Sequence, residues 1–152
     1  NSDVCGIQQI RGYLPQAIQG VQWLSMGGSG FTACFPVYTG VSGFPKYISG
    51  TTETVSTDHM YWHSRLIAAL TDAHVGSALL YNERYRSTVM NRGQQYLEEY
   101  DQKVLEGASP EILLEANDKI LAMVQEASDK ALAQILKNAS EHMKIRYHRG
   151  DN

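Results

Sequence analysis

The sequence predicts an α+β protein, with antiparallel strands in residues 1–57 and a helical region with a long antiparallel helix hairpin in residues 58–152, together forming part of one domain. Three observations lead there. Of 29 charged side chains only Asp3, Arg11, Lys46 and Glu53 precede residue 58. The spacing of apolar residues changes at the same place from a period of two to a helical period. At 152 residues and 43% apolar, the chain suits one medium-sized domain or a large piece of one and is long enough to bury a core.

The first region is built of short apolar runs rich in β-branched and aromatic residues and punctuated by Gly and Pro, which predicts strands over 4–10, 21–26 and 31–38. In the third, Phe31, Ala33, Phe35 and Val37 share one face, and Pro36 marks an edge or a strand end. The connection through Gly12-Tyr13-Leu14-Pro15 to Gly20 is too short for a crossover helix, so the first two strands pair antiparallel. Gly27-Gly28-Ser29-Gly30 predicts a hairpin turn. The Lys-Ser or Lys-Thr that completes a phosphate-binding loop does not follow it. Residues 39–57, with Gly40, Gly43, Pro45 and Gly50, predict a long loop of the kind that forms lids, binding loops or interfaces.

From Asp58, expected to cap a helix, Tyr61, Trp62, Arg65, Leu66, Ala69 and Leu70 recur at helical spacing. A second helix is predicted over 77–106, with Leu80, Tyr85, Val89, Tyr96, Tyr100 and Val104 inward and Gly107 ending it. Ser109-Pro110-Glu111 predicts a restart, with Ser109 accepting from free amides and Glu111 suiting the positive end of the helix. The third helix then runs to about residue 147, with Leu113, Ala116, Ile120, Met123, Ala127, Ala131, Ile135 and Ala139 along its seam.

A net charge of -3 and a pI near 5.9 argue against nucleic acid and anionic membrane as partners, since both need basic surface. No run of 18 apolar residues exists, and Asn1-Ser2-Asp3 has none of the character of a signal peptide. Cys5 and Cys34 are too few for a disulfide scaffold and lack metal-ligand spacing, so a reducing, cytoplasmic setting and burial as small hydrophobes are expected. His59 and His63 stand one helical turn apart, but no third ligand is evident and Met60 replaces the glutamate of a zinc-protease helix, so an ordinary polar face is expected. Asn138-Ala139-Ser140 matches a glycosylation pattern inside a predicted helix and reads as accidental. Glu98, Glu99 and Asp101 read as a solvated acidic face. Cys5 has only Arg11 as a nearby cation and sits inside a strand, which does not suit a nucleophile. Three strands with an apolar face ask for further strands to cover them, so an upstream part is expected to be missing.

Four ordered blocks carry a resemblance. Gly6-Ile7-Gln8-Gln9-Ile10-Arg11, Leu14 through Leu24, Cys34-Phe35-Pro36-Val37-Tyr38-Thr39-Gly40, and Met60-Tyr61-Trp62 with Arg65 through His74 are similar to the C-terminal half of the dipeptidase A family of cysteine peptidases, which belongs to the N-terminal-nucleophile hydrolases. The resemblance implies the C-terminal part of a four-layer αββα sandwich. It also implies a cysteine at the mature N-terminus as nucleophile, its own α-amino group as base, and amide cleavage through a thioester. That cysteine has no counterpart in these residues, so no catalytic residue is assigned here and the piece alone is expected to be inactive. Arg11, Trp23 and Thr39 are the residues in the matched blocks with the character to line a substrate pocket. Each has a plainer reading: Arg11 pairing with a carboxylate, Trp23 packing in the core, Thr39 opening the loop.

The function expected is therefore a fragment of a dipeptidase acting on dipeptides, partnered by the missing N-terminal half of its own protein, with homo-oligomerisation left open and with no metal or organic cofactor. Two alternatives stand beside it: a non-enzymatic interaction module built on the helical hairpin, whose Ala-rich seam admits close approach, and a related amidase acting on non-peptide amides.

Overall fold

The computed structural model describes residues 4–28, 30–49 and 53–143. The elements run β1 (Val4–Ile10), α1 (Gln16–Gln19), β2 (Gly20–Met26), β3 (Phe35–Tyr38), α2 (Met60–Ala73), α3 (Val75–Leu105) and α4 (Ile112–Glu141). The fold is α+β: one antiparallel sheet in the order β1-β2-β3 with long helices packed around its β3 side.

The strands differ from expectation mainly at the third, which begins at Phe35 rather than residue 31. Ser25 and Thr32 share a hydroxyl hydrogen bond of 2.7 Å, and the Asn82 amide donates to the Phe31 carbonyl at 2.9 Å. These side-chain bonds hold residues 31 and 32 out of the ladder. Gly27 and Gly28 adopt φ of 102° and 63°, the left-handed region that glycine enters without strain, but the connection spans residues 27–34 and is no tight hairpin. Ser29 and Gly50 lie outside the described residues. The link between β1 and β2 holds the single turn α1 and no crossover helix, and the two strands pair antiparallel as expected. Its Ile18 is fully buried.

Helix α2 starts one residue later than expected. Its N-cap is His59, whose Nδ1 accepts from the Tyr61 N–H at 3.2 Å, while the Asp58 N–H takes the Ser56 hydroxyl. The buried stripe of α2 is Met60, His63, Ser64, Ile67, Ala68 and Thr71, a different phase from the one the aromatic residues suggested. Two of its polar side chains are bonded: Thr71 Oγ1 donates to the Ile67 carbonyl at 2.8 Å, and His63 bonds Tyr47. In α3, Leu80 is exposed, and the inward positions are Ala78, Asn82, Tyr85, Val89, Gly93, Leu97 and Tyr100. Gly107, at φ 101°, lies just past the C-cap Glu106, as its position predicts. Ser109 does not cap α4: its hydroxyl bonds the Glu111 carboxylate, and the helix begins at Ile112. It ends at Glu141, short of the predicted 147. Residues 144–152, including Tyr147 and His148, lie outside the described residues.

Contrary to expectation neither cysteine is buried: Cys5 lies on β1, which is exposed along its whole length, and Cys34 is half-buried. The core joins strands to helices: Leu24, Met26, Phe35 and Val37 pack with Ile67, Val89, Ile120, Val124 and Ile135, and Val21 and Tyr38 pack with Ile18, Leu97, Tyr100 and Leu113. All four β3 residues are buried. α3 approaches so closely that a Cβ on Gly93 would lie 2.5 Å from Pro36 Cδ. α4 seals the outer edge of β3, where Asn117 Oδ1 accepts from the Tyr38 N–H at 2.8 Å and Nδ2 donates to the Tyr38 carbonyl at 3.0 Å. Pro36, which faces the same way, has no N–H to leave unpaired.

Candidate functional site

The polar side chains of the matched blocks converge at the corner where β1 ends and β3 gives way to the loop. Arg11 directly follows β1, and its N–H bonds the Gln19 carbonyl at 2.8 Å. Its buried guanidinium forks onto Asp101 of α3, Nη1 to Oδ2 at 2.6 Å and Nη2 to Oδ1 at 2.9 Å, and Nη2 also donates to the Ile18 carbonyl. The Tyr38 hydroxyl lies 2.8 Å from Asp101 Oδ1 and 3.0 Å from the Leu97 carbonyl. Burial opposes the Arg11 charge, but the hydrogen bond and charge of Asp101 outweigh it and hold the guanidinium above its ordinary value. Burial first, then Asp101, pushes the Tyr38 phenol up, so it stays protonated and donates.

Thr39 sits at the same corner, exposed, with its N–H bonded to the Gly20 carbonyl at 3.1 Å. A Cβ on Gly20 would run into Thr39 Oγ1, which explains the glycine at that crossing. Trp23 lies further along β2, half-buried, its indole N–H donating to Gln9 Oε1 at 3.2 Å. The structure thus brings Arg11 and Thr39 to one end of the sheet on either side of the Gln19–Gly20 step and leaves Trp23 mid-strand.

A second polar cluster lies at the base of the loop. His63, fully buried, bonds the Tyr47 hydroxyl through Nδ1 at 2.8 Å and places Nε2 3.2 Å from Asp129 Oδ1. The Met60 N–H donates to the Tyr47 carbonyl at 2.7 Å, so the loop is tied to α2 twice. Burial lowers the His63 pKa, against the opposing pull of Asp129. The neutral ring therefore accepts from Tyr47 and turns its N–H toward Asp129. His63 is no part of a solvated polar face, as the sequence had suggested. Among the described residues no cluster of three or more His, Cys, Asp or Glu could hold a metal ion.

A cleft of about 580 Å³ opens on the outer side of the α3–α4 hairpin, lined by Tyr81, Arg84, Arg92, Glu126 and Lys130 among others. None of Arg11, Trp23 and Thr39 reaches it. Neither thiol is placed for nucleophilic attack: Cys5 lies within β1, and burial pushes the Cys34 thiol up, away from the reactive thiolate.

Sequence reasoning missed the partners. Asp101 was read with Glu98 and Glu99 as solvent-facing, yet it stands next to Tyr100 and four residues after Leu97, at the border of the buried stripe. Asn117 and Ser128 interrupt the apolar seam of α4 at core spacing. A polar residue on an apolar stripe was the available signal for both.

Residues 1–88 match the family model described as Peptidase family C69. The chain belongs to that family. Curated relatives of this C69 chain include the probable dipeptidase A of Streptococcus pyogenes serotype M3, 35% identical over 145 residues that make up 95% of this chain and 31% of that protein. The dipeptidase of Bifidobacterium longum is 33% identical over 64% of this chain and 18% of its own length. The probable dipeptidase B of Lactococcus lactis is 27% identical over 93% and 30%. The C69 chain thus spans about a third of the length of the S. pyogenes and L. lactis relatives. Among its described residues no helix is long and apolar enough to cross a membrane.

Proposed function

We propose that this chain is the C-terminal portion of a cytoplasmic dipeptidase, contributing scaffold to an N-terminal-nucleophile sandwich whose catalytic cysteine lies in polypeptide outside these 152 residues. In that chemistry the α-amino group takes the thiol proton and the sulfur attacks the scissile carbonyl. The amine of the second amino acid then leaves with a proton, and water hydrolyses the thioester. The observation that carries the reading is the match, along nearly the whole chain, to proteins named dipeptidases within a peptidase family.

In this reading Arg11, Trp23 and Thr39 serve the substrate side. Thr39 and the exposed part of Trp23 are free to line a pocket, while Arg11, engaged by Asp101, fixes the corner from which Thr39 projects. The substrate is a dipeptide, and no metal or organic cofactor takes part.

The test is to express the full-length polypeptide and this chain separately and measure amino-acid release from a panel of dipeptides and from non-peptide amides. Hydrolysis of dipeptides by the full-length protein and not by the chain alone is expected. Hydrolysis by the chain alone would overturn the scaffold role, and turnover confined to non-peptide amides would make the protein an amidase.

A further inference from the structure

We propose that the cleft between α3 and α4 binds an acidic amino acid, a small zwitterion with one ammonium and two carboxylate groups, away from the Arg11 corner. The proposal stands without the dipeptidase reading. Under that reading such a ligand is a product of acidic dipeptides, held outside the substrate site.

Two side-chain bonds fix how the helices lie against each other. Tyr85 of α3 shares a 2.9 Å hydroxyl hydrogen bond with Ser128 of α4, and the Tyr100 hydroxyl donates to Glu115 Oε2 at 2.9 Å. The helices therefore run antiparallel, with Arg84 level with Lys130 and Thr88 level with Glu126. Arg92 lies two turns beyond Arg84, about 12 Å along the axis. Between them the floor is Tyr85 and Ala131, both buried, with half-buried Ala127. The two alanines leave a depth that longer side chains would fill. A volume of about 580 Å³ falls within the roughly 300–1,000 Å³ of small-molecule sites.

Glu83, Arg84, Arg92, Glu126 and Lys130 all line the cleft, and none of them makes a hydrogen bond or ion pair among the described residues. Elsewhere on the hairpin such charges close on each other. Glu99 and Lys103 on α3, and Glu115 and Lys119 on α4, stand one turn apart and approach to 3.7 and 3.9 Å. Glu126 and Lys130 have the same spacing, which favours pairing, yet at the cleft they stay apart.

The order of charge selects the ligand. Along the cleft it reads positive at Arg84 and Lys130, negative at Glu126 about 6 Å further on, and positive again at Arg92. An ammonium flanked by two carboxylates meets that order group for group. Guanidinium forks suit carboxylates, their long stems can lean in toward a ligand shorter than their separation, and Glu126 suits the ammonium. With Glu83 beside Arg84, three cations stand against two carboxylates, and an acidic amino acid carries the one negative charge that balances them. A simple anion such as phosphate would leave Glu126 facing like charge. A neutral amino acid would leave Arg92 unmet.

The experiment is equilibrium dialysis of L-glutamate, glutarate, glutamine and inorganic phosphate against the full-length protein and its variants. L-Glutamate is expected to bind saturably, at least about tenfold more tightly than glutarate, which lacks the ammonium, or glutamine, which lacks the second carboxylate. Glu126→Gln should abolish the preference for glutamate over glutarate. Arg84→Ala combined with Lys130→Ala should cut glutamate affinity at least about tenfold. These three side chains are exposed and unbonded, so the variants should unfold at the parent's Tm, and lost binding then reads the cleft rather than the fold. No saturable binding of glutamate, or phosphate bound as tightly, would overturn the proposal. A preference for the ammonium that survives in Glu126→Gln places the ligand elsewhere, the substrate site included, and refutes it equally. Dipeptide hydrolysis measured on the same samples reports on the earlier reading alone.

Discussion

Replacing Gly93 with alanine should destabilise the protein although it puts a better helix former into a helix. Gly93 lies deep inside α3, and alanine there gains about 0.8–1 kcal/mol of intrinsic helix preference. Against that, the new Cβ would stand 2.5 Å from Pro36 Cδ and 3.2 Å from Pro36 Cγ, where carbon atoms prefer about 3.5–4.0 Å. The proline ring cannot rotate away, since Pro36 is held in β3 opposite Trp23. α3 and the sheet must part by about 1 Å, and overpacking of this kind costs roughly 1–3 kcal/mol. The net is a loss of up to about 2 kcal/mol, read as a fall of up to a few degrees in Tm by calorimetry of the full-length protein. Gly76 is the control: it lies in the same helix with nothing within 4 Å of an added Cβ, so Gly76→Ala should gain up to about 1 kcal/mol. If both substitutions stabilise, the close approach of α3 to β3 is wrong.

Removing the Asp101 carboxylate with Asp101→Asn should cost about 3–5 kcal/mol in urea unfolding, because it strands the buried Arg11 charge; Arg11→Lys should recover only part of an Arg11→Ala loss, since lysine cannot make the two-pronged contact. Asn117→Leu should cost about 1–3 kcal/mol by leaving the Tyr38 N–H and carbonyl unpaired at the sealed edge, measurable as a lower urea midpoint. Because the folded-state pKa of His63 is lowered below its ordinary 6.5, the unfolded chain binds the proton more readily. His63 therefore contributes stability that is fully present above about pH 6.5 and is lost as pH falls through the folded value. Urea midpoints measured from pH 8 to 5 should fall less steeply in His63→Gln than in the parent; equal slopes would contradict the buried neutral ring.

Strand and helix positions were legible because their signals are local. Short apolar runs rich in β-branched and aromatic residues marked β1 and β2, and the seam from Leu113 to Ala139 marked α4, whose predicted inward residues are buried except the half-buried Ala127. What local signals could not carry were choices made by distant partners. The phase of α2 turned on Tyr47 bonding His63 and on Thr71 bonding its own helix, so a stripe with Ser64 and His63 went inward while Trp62 stayed half-buried. The start of β3 was decided by Asn82, which holds Phe31 from a helix 51 residues away. The Arg11 corner was half readable: a carboxylate partner was foreseen, but not that it would be Asp101, since sequence neighbours made that residue look solvated.

The seal that Asn117 and Pro36 place on β3 makes this sheet directional. A newcomer cannot dock beside β3 without first peeling α4 away, so any strand added to the array has to join through β1. The helical hairpin therefore acts as a terminus for the sheet. Errors that register a strand on the wrong flank during assembly are blocked by packing already in place, leaving one flank on which pairing can proceed.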